Sequence, residues 1–348
     1  MNENTNVDLL NCNYAKTILM ILIVICHSAA FWTGKWFTAD PIYDCTLLAW
    51  LSNWLGTFHV HCFCLISGYI FFYLKYEKNS VKYNNFLIFI KTKFKRLVLP
   101  YIFIAVVWVV PITECFFHQS IKDIIIKYVF AVSPSQLWFL IMLFDVFLIF
   151  YMLSSFLCKH LFLGIIILLT FYGIGVAMSA FLPNVFSAFT AFKFLIFFYL
   201  GFIIRKHHLL LYLKKLPSVL WILLDIIFVI LYNKYVSAVG ILSIPCTLFI
   251  NIFGAVASFS VLQSIACRVD WNIRYFRLLC KHSMTIYLLH QQIIYFTVKW
   301  LNGVLNPYLH FLANFVFAFV VSLVISMIMH RFRLTSYLLG ENYDPKLY

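Results

Sequence analysis

Long apolar stretches follow one another along the whole chain, and short polar or charged connections separate them. A helix needs about 20 mostly apolar residues to cross a lipid bilayer. Stretches that contain no Asp, Glu, Lys or Arg, divided at turn signals where they are long, predict ten such helices. They cover residues 16–32, 50–74, 97–113, 136–157, 161–181, 186–204, 217–234, 240–264, 283–300 and 309–330. The fifth and sixth share one uncharged run, which we divide at Leu182-Pro183-Asn184.

The basic residues indicate how this bundle is oriented. Ten crossings put both termini and every even-numbered connection on one side of the membrane. Twenty of the 26 Lys and Arg residues fall on that side, from Lys16 to Lys346, and Lys193 lies inside the sixth helix. The other side carries five: Lys35, Lys122, Lys127, Lys234 and Lys299. Because Lys and Arg are enriched in cytoplasmic connections, we expect both termini in the cytoplasm.

Composition supports the same class of protein. The chain is 64% hydrophobic and 11% charged, against about 45–50% and about 25% in soluble domains. This excludes a water-soluble globule, and the low Gly and Pro content argues against a disordered or collagen-like chain. We predict an all-α polytopic membrane helix bundle, a single domain over residues 1–348 with a helical core at about 14–333. The net charge of +14 is then mainly a topology signal and does not indicate nucleic acid.

The ten cysteines show neither a CxxC pattern nor the Cys/His spacing of a zinc site, so no metal is predicted. Most are interpreted as small buried residues, although a disulfide between Cys45 and Cys115 is left open. The first thirteen residues are polar and lack a basic segment. The apolar run after Lys16 is therefore expected to remain as a membrane helix rather than to be cleaved.

Polar groups at membrane depth are costly and usually face the interior of the bundle, which makes them the first functional candidates. Lys16 and His27 are eleven residues apart in the first helix, so they lie within about 20° of one face and about 16 Å apart along the axis. An imidazole can accept and return a proton near neutral pH. The competing interpretation is a lysine that anchors the topology and an interfacial histidine.

The second helix carries two histidines before a Ser67-Gly68 pair that permits close helix approach. His59 and His61 are two residues apart and point to different sides of a helix. A shared metal site is therefore not expected, and only one of the two, His59, is predicted to face the cavity.

These two helices resemble the acyltransferase-3 family of integral-membrane enzymes, particularly its sugar O-acetyltransferase branch. Lys16 and His27 are similar to its Arg/Lys-x10-His signature, and the segment from Phe58 to Tyr69 resembles its second-helix motif. Lysine replaces the more frequent arginine, and an ammonium cannot form the bidentate contacts of a guanidinium. Val60-His61 also replaces a common Met-Pro.

Later segments resemble further family motifs in the expected order, over about residues 9–333. They are Lys95-Arg96-Leu97-Val98-Leu99-Pro100-Tyr101, Leu137-Trp138-Phe139-Leu140, Phe198-Tyr199-Leu200-Gly201 and the run from Ser283 to His290. The resemblance implies an enzyme that moves an acetyl group from cytoplasmic acetyl-CoA to a hydroxyl of a cell-envelope glycan or a lipid-linked sugar. It also implies a multi-pass protein of a bacterial inner membrane.

Roles for single residues follow from this resemblance. His27 is expected to act as general base or transient acyl carrier, and His59 as its acid/base partner or as a structural histidine. Lys16 is expected to bind the phosphates of CoA or to help orient the thioester as part of the catalytic set, with a topology anchor as the alternative. Arg96 and Arg205 are expected to bind the phosphates. The predicted substrate-binding residues are Trp138, Ser67, Tyr287 and His290. Packing is the alternative for Trp138, and structural support for the Tyr287 and His290 pair, which shares one helix face.

A second hypothesis is a secondary transporter or flippase for a sugar-linked lipid. Asp145, Asp225 and Lys193 lie within predicted helices, where they could pair with one another or couple transport to an ion. Such a transporter is expected to show discontinuous helices in pairs or symmetry between its halves, and neither is evident in the sequence.

Overall fold

The structure is a computed structural model that describes residues 3–34, 39–236, 240–268 and 273–343, with side chains from residue 10 onward. Every regular element in these ranges is helical. Nine of the helices described there are long and apolar enough to cross a membrane. The prediction of an all-α polytopic helix bundle is confirmed.

Ten long helices, α1 to α10, follow one another in the described ranges. They are α1 Glu3–Ala29, α2 Thr46–Phe72, α3 Phe86–Phe117, α4 Trp138–Lys159, α5 Leu161–Phe181, α6 Ala188–Lys206, α7 Ser218–Tyr235, α8 Ser243–Ala266, α9 Arg274–Leu301 and α10 Pro307–His330. A π-helical turn, Tyr73–Glu77, continues α2. Short 3-10 turns, Ser135–Leu137 and Val185–Ser187, lead into α4 and α6.

Most helix boundaries agree with the prediction to within a few residues. Helix α5 ends at Phe181 and is followed by a break, which confirms the division at Leu182-Pro183-Asn184. Three helices begin much earlier than predicted, at Glu3, Phe86 and Arg274. These predictions were too short because they stopped at charged residues, whereas a helix can continue past the hydrocarbon layer with its charged side chains at the interface.

Helix α9 is long but is not among the nine apolar helices found in the described ranges. Its polar side chains are turned inward: His282, Thr285, His290, Gln291, Gln292 and Thr297 are buried. The Thr17 hydroxyl of α1 lies 3.2 Å from Cys280 Sγ, and His282 Nδ1 lies 2.8 Å from Ser326 Oγ of α10. Helix α9 therefore runs between α1 and α10, which shield its polar groups from lipid.

Two glycines bring the backbones of α2 and α6 into contact. A Cβ placed on Gly68 would lie 1.8 Å from the Phe198 carbonyl oxygen, and one on Gly201 would lie 1.8 Å from the Leu65 carbonyl oxygen. Only glycine fits at these positions, since any side chain would overlap the opposite backbone. The close helix approach predicted from Ser67-Gly68 is confirmed.

Both termini of the described chain lie at one end of the bundle. Asn11 of α1 lies 3.5 Å from Cys267 Sγ, just after α8, and Lys95 Nζ lies 3.2 Å from Asn342 Oδ1. We call this the basic end, because Lys16, Lys93, Lys95 and Arg96 lie there. The location of both termini at this end agrees with an even number of membrane crossings. Lys35 and Lys346, which entered the comparison of charges, lie outside the described residues.

Candidate active site

His27 and His290 are in direct contact inside the bundle. His27 Nδ1 lies 2.7 Å from His290 Nε2, and the two rings are nearly parallel, with centroids 4.9 Å apart and planes 19° apart. His27 lies two residues from the end of α1, and His290 is near the middle of α9. The packing of α1 on α9 therefore joins two histidines that the sequence analysis treated separately.

The hydrogen bonds of His290 determine which nitrogen atoms carry protons in the neutral pair. His290 Nδ1 lies 2.7 Å from the Tyr287 carbonyl oxygen, which can only accept, so Nδ1 must donate. His290 Nε2 is then an acceptor, and His27 donates to it from Nδ1. This assignment leaves the basic lone pair of neutral His27 on Nε2.

Both histidines of α2 border the same cavity as His27. The prediction that only His59 faces it was wrong, because the cavity extends along α2 from Gly56 to His61 and contacts two sides of the helix. His59 donates from Nδ1 to the Leu55 carbonyl oxygen. The His61 ring stacks on Phe194 of α6, with centroids 4.8 Å apart and planes 5° apart.

This histidine cavity has a volume of about 240 Å³. Its walls come from α1, α2, α4, α6 and α9, and they combine imidazoles with aromatic and amide groups. The lining residues are Ile23, His27, Gly56, His59, Val60, His61, Gln136, Trp138, Phe194 and Tyr287. A cavity with a few convergent polar groups is typical of a small-molecule site. Trp138 and Tyr287, both predicted substrate-binding residues, contribute to it.

Two buried glutamines attach the start of α4 to α9. Gln136 Nε2 lies 2.6 Å from Gln292 Oε1, and Gln292 Nε2 lies 3.1 Å from Gln136 Oε1. Tyr287 donates its hydroxyl to the Gln136 carbonyl oxygen. The sequence analysis missed this pair, although an uncharged amide within an apolar helix is the same kind of signal as an intramembrane histidine. The pair positions Trp138 at the cavity wall.

Lys16, Lys93 and Arg96 form a cationic cluster at the basic end. Each of the two lysines interacts electrostatically with Arg96, and Lys93 also interacts with Lys16. No carboxylate of the described residues pairs with any of the three. The cluster therefore offers uncompensated positive charge, as a phosphate site requires.

Tyr83 and Phe147 hold the ammonium of Lys93 in place. Lys93 Nζ donates to the Tyr83 hydroxyl at 3.0 Å and lies 3.5 Å from the centre of the Phe147 ring. Burial raises the pKa of Tyr83, in the connection before α3, to about 12. Tyr83 therefore stays a neutral acceptor and does not cancel the charge of the cluster.

Arg205 forms an ion pair with a carboxylate, unlike the three residues of the cluster. Its guanidinium donates to both oxygens of Glu77, at 2.7 and 2.6 Å, and to the Tyr69 hydroxyl at 2.9 Å. A bidentate pair of this kind satisfies most of the donors of the guanidinium. In this structure Arg205 stabilises the junction of α2 and α6.

Ser67 and the charged groups within helices lie outside the histidine cavity. Ser67 donates to the Phe63 carbonyl oxygen at 2.9 Å, eight residues or about 12 Å along α2 from His59. Asp225 accepts from Trp54 Nε1 at 2.8 Å, and Lys193 Nζ lies 3.4 Å from Ser179 Oγ. Neither charged residue pairs with the other or with Asp145 in the part of the chain described.

The possible metal ligands are scattered among the side chains that the structure describes. Within those ranges, no group of three or more His, Cys, Asp or Glu residues is arranged to hold a metal ion. Cys45 and Cys115 are both thiols and are not joined to each other.

A histidine-lined cavity inside a bundle of apolar helices defines a multi-pass integral membrane protein with an internal polar site. A family model described as an acyltransferase domain matches residues 9–331. The chain therefore belongs to the acyltransferase-3 family, as the motifs of the first and second helices indicate, and it is an acyltransferase. Neither a curated protein nor a solved structure matches it significantly.

Proposed function

We propose that this protein transfers an acetyl group from cytoplasmic acetyl-CoA to a hydroxyl of a cell-envelope glycan or glycolipid, with His27 as the general base. The observation that carries this proposal is the hydrogen bond between His27 Nδ1 and His290 Nε2. A sugar hydroxyl is a poor nucleophile at neutral pH, and a base positioned beside it assists its attack.

The contact with His290 supports a base at His27 for two reasons. It orients the ring and, through the tautomer that it selects, places the basic lone pair on Nε2. It also provides an acceptor for the Nδ1 proton while Nε2 becomes protonated, the role that an aspartate has in a Ser-His-Asp triad.

The cationic cluster supports acetyl-CoA as the donor. Lys16 is eleven residues before His27 on α1, which is about 16 Å along the helix. A donor with phosphates at the cluster and a thioester at His27 needs a long flexible linker between the two, and the pantetheine arm of CoA is such a linker. The cluster would then lie on the cytoplasmic side, in agreement with the distribution of basic residues.

The proposed reaction breaks the thioester bond of acetyl-CoA and forms an ester bond to the acceptor. His27 Nε2 takes the proton of the acceptor hydroxyl while the oxygen attacks the thioester carbonyl. The carbon–sulfur bond breaks, and the departing thiolate receives the proton from the His27 imidazolium. The products are an acetyl ester and free CoA. In the alternative route, His27 Nε2 attacks the thioester carbonyl and expels CoA as the thiolate. The acceptor hydroxyl then attacks the acetylated imidazole, His27 is released, and the hydroxyl proton ends on the CoA thiolate.

Radiolabelled acetyl-CoA tests the proposal directly. The purified protein in detergent is supplied with crude envelope glycan, and label in the glycan is compared for wild type, His27→Ala and His160→Ala. His160 is exposed at the connection between α4 and α5 and serves as the matched control. We expect His27→Ala to lower transfer about 10²–10⁴-fold and His160→Ala to leave it unchanged.

Folding is checked for each variant by size-exclusion chromatography. Comparable transfer by a folded His27→Ala protein would refute the assigned base. If the wild type transferred label to no envelope glycan and released no acetate, acetyl-CoA would be refuted as the donor, and a longer acyl donor would be the next to test.

A further inference from the structure

A second cavity adjoins the histidine cavity, on the other side of His61 and Phe194. Its volume is about 340 Å³, larger than that of the histidine cavity, and α2, α5, α6 and α8 form its walls. The lining residues are His61, Tyr172, Val176, Thr190, Lys193, Phe194, Phe197, Ser243, Ile244, Thr247 and Asn251. We call it the polar cavity, because seven of these eleven residues carry hydroxyl, amide, imidazole or ammonium groups.

The stacked rings of His61 and Phe194 separate the two cavities. Both residues border each cavity, so a ligand in the polar cavity is only one aromatic layer away from His27 and His59. The polar cavity lies towards the end of the bundle opposite the basic end, where α5 ends and α6 and α8 begin. A ligand could therefore reach it without crossing the cationic cluster.

Lys193 is the one charged group that lines the polar cavity. Its side chain is half-buried, and its ammonium lies 3.4 Å from the Ser179 hydroxyl near the end of α5. No carboxylate of the described residues lies within ion-pair distance of it. Lys193 therefore presents a cation without an acidic partner to a cavity, within a helix that could cross the membrane, and such a residue is a candidate for contact with substrate.

The backbone of α5 leaves room for the stem of this lysine. A Cβ placed on Gly175 would lie 3.0 Å from Lys193 Cγ and 2.6 Å from the Phe189 carbonyl oxygen. The glycine thus lets α6 approach α5 while the lysine side chain passes between them. The ammonium is held at the cavity by packing as well as by Ser179.

The remaining polar groups of the cavity are uncharged. Thr247 and Tyr232 share a hydrogen bond of 2.7 Å, and Thr190 accepts from the Asn184 amide at 2.7 Å. Neutral hydroxyl and amide groups beside aromatic rings provide donors and acceptors that suit a ligand rich in hydroxyl groups. The single cation, Lys193, favours a ligand that also carries a negative charge.

We propose that the polar cavity binds an acidic sugar unit of the acceptor, with Lys193 paired to its carboxylate and a hydroxyl directed past His61 towards His27. This inference rests on the proposed acetyl transfer and adds the substrate class. Lys193 is thereby assigned to substrate recognition, whereas a lysine that only marks topology would need neither the polar walls nor the neighbouring histidine cavity.

Direct binding tests this inference independently of catalysis. Thermal unfolding of the purified protein is followed with increasing methyl β-D-glucuronide, and in parallel with methyl β-D-glucoside plus sodium acetate at the same ionic strength. The proteins are wild type, Lys193→Gln, Lys193→Arg and Lys234→Gln. Lys234 is exposed in the last turn of α7 and lines neither cavity, so its variant is the matched control.

We expect the glucuronide to raise the unfolding temperature of the wild type and of Lys234→Gln, and the glucoside mixture to do so much less. Lys193→Gln should weaken glucuronide binding at least about tenfold, because a charge-assisted contact is lost, and Lys193→Arg should retain most of it. A wild type that responds equally to the two sugars, or to neither, overturns the inference. So does a Lys193→Gln variant that keeps the preference for the glucuronide.

The two proposals fail in different ways. Acetyl transfer that depends on His27, together with no binding of the glucuronide, refutes the acidic acceptor and leaves the proposed function in place. Glucuronide binding that depends on Lys193, together with no use of acetyl-CoA, supports the site and refutes the reaction.

Discussion

The guanidinium of Arg205 and the carboxylate of Glu77 form a bidentate pair that joins the end of α6 to the extension of α2. The Arg205 side chain is 8% exposed and that of Glu77 is 28% exposed. Loss of either partner leaves the other charge in a poorly solvated position, so the pair matters for folding even if it adds little net stability.

Replacement of Glu77 by Gln should therefore destabilise the protein by about 2–3 kcal/mol, somewhat less than for a fully buried pair. The measurement is thermal or denaturant unfolding in detergent. The double variant Glu77→Gln, Arg205→Met should recover part of the loss, because it leaves no unpaired cation. Equal stability of wild type and Glu77→Gln would contradict this assignment.

His290 should act as a positioning residue for His27. His290→Ala removes the acceptor for the His27 Nδ1 proton and is expected to lower kcat for acetyl transfer about 10–100-fold, with KM for acetyl-CoA little changed. His290→Gln offers a carbonyl oxygen at a similar reach and should restore part of the rate. A purely structural role predicts that both variants lose rate and stability together.

The cationic cluster should act on the phosphates of CoA and on nothing else in the donor. Lys16→Gln is expected to raise KM for acetyl-CoA about tenfold, since one charge contact of about 1.4 kcal/mol corresponds to that factor. With S-acetyl-pantetheine, which carries no phosphate, Lys16→Gln and wild type should have the same KM. The matched control is Lys91→Gln, because Lys91 is exposed. A Lys16→Gln effect that persists with S-acetyl-pantetheine would point to the thioester instead.

Two glycines provide a paired test of the contact between α2 and α6. Gly68→Ala forces a methyl group to within 1.8 Å of the Phe198 carbonyl oxygen, whereas a Cβ on Gly173 of α5 meets nothing within 4 Å. Gly68→Ala should cost at least about 3 kcal/mol or prevent folding. Gly173→Ala should be neutral or slightly stabilising, because alanine favours the helix. Size-exclusion chromatography and thermal unfolding distinguish these outcomes.

The helices were predictable because the hydrocarbon layer imposes both length and composition on a spanning segment. The boundaries of α5 agree with the prediction, since uncharged residues continue to Phe181 and are followed by Pro183. The prediction lost accuracy for α3, where Lys91, Lys93 and Lys95 lie within the helix. A rule that stops at charged residues detects the membrane-embedded part of a helix and not its full length.

The functional site was predictable only one residue at a time. His27 and His59 attract attention because an imidazole in an apolar helix is costly. The partner of His27, however, is 263 residues further along the chain, and no local periodicity relates α1 to α9. The pairing of Arg205 with Glu77 escaped prediction for the same reason, because it depends on how α2 and α6 pack.

That packing has a consequence for the chemistry of the acceptor. His59 and His61 belong to α2, Lys193 and Phe194 belong to α6, and the backbones of the two helices touch at Gly68 and Gly201. The proposed anchor for the negative charge and the histidines beside the reacting hydroxyl therefore lie on one rigid pair. Such a pair fixes the distance between the carboxylate of the acceptor and its reacting hydroxyl. The regioselectivity of acetylation would then follow from this distance rather than from the identity of the sugar.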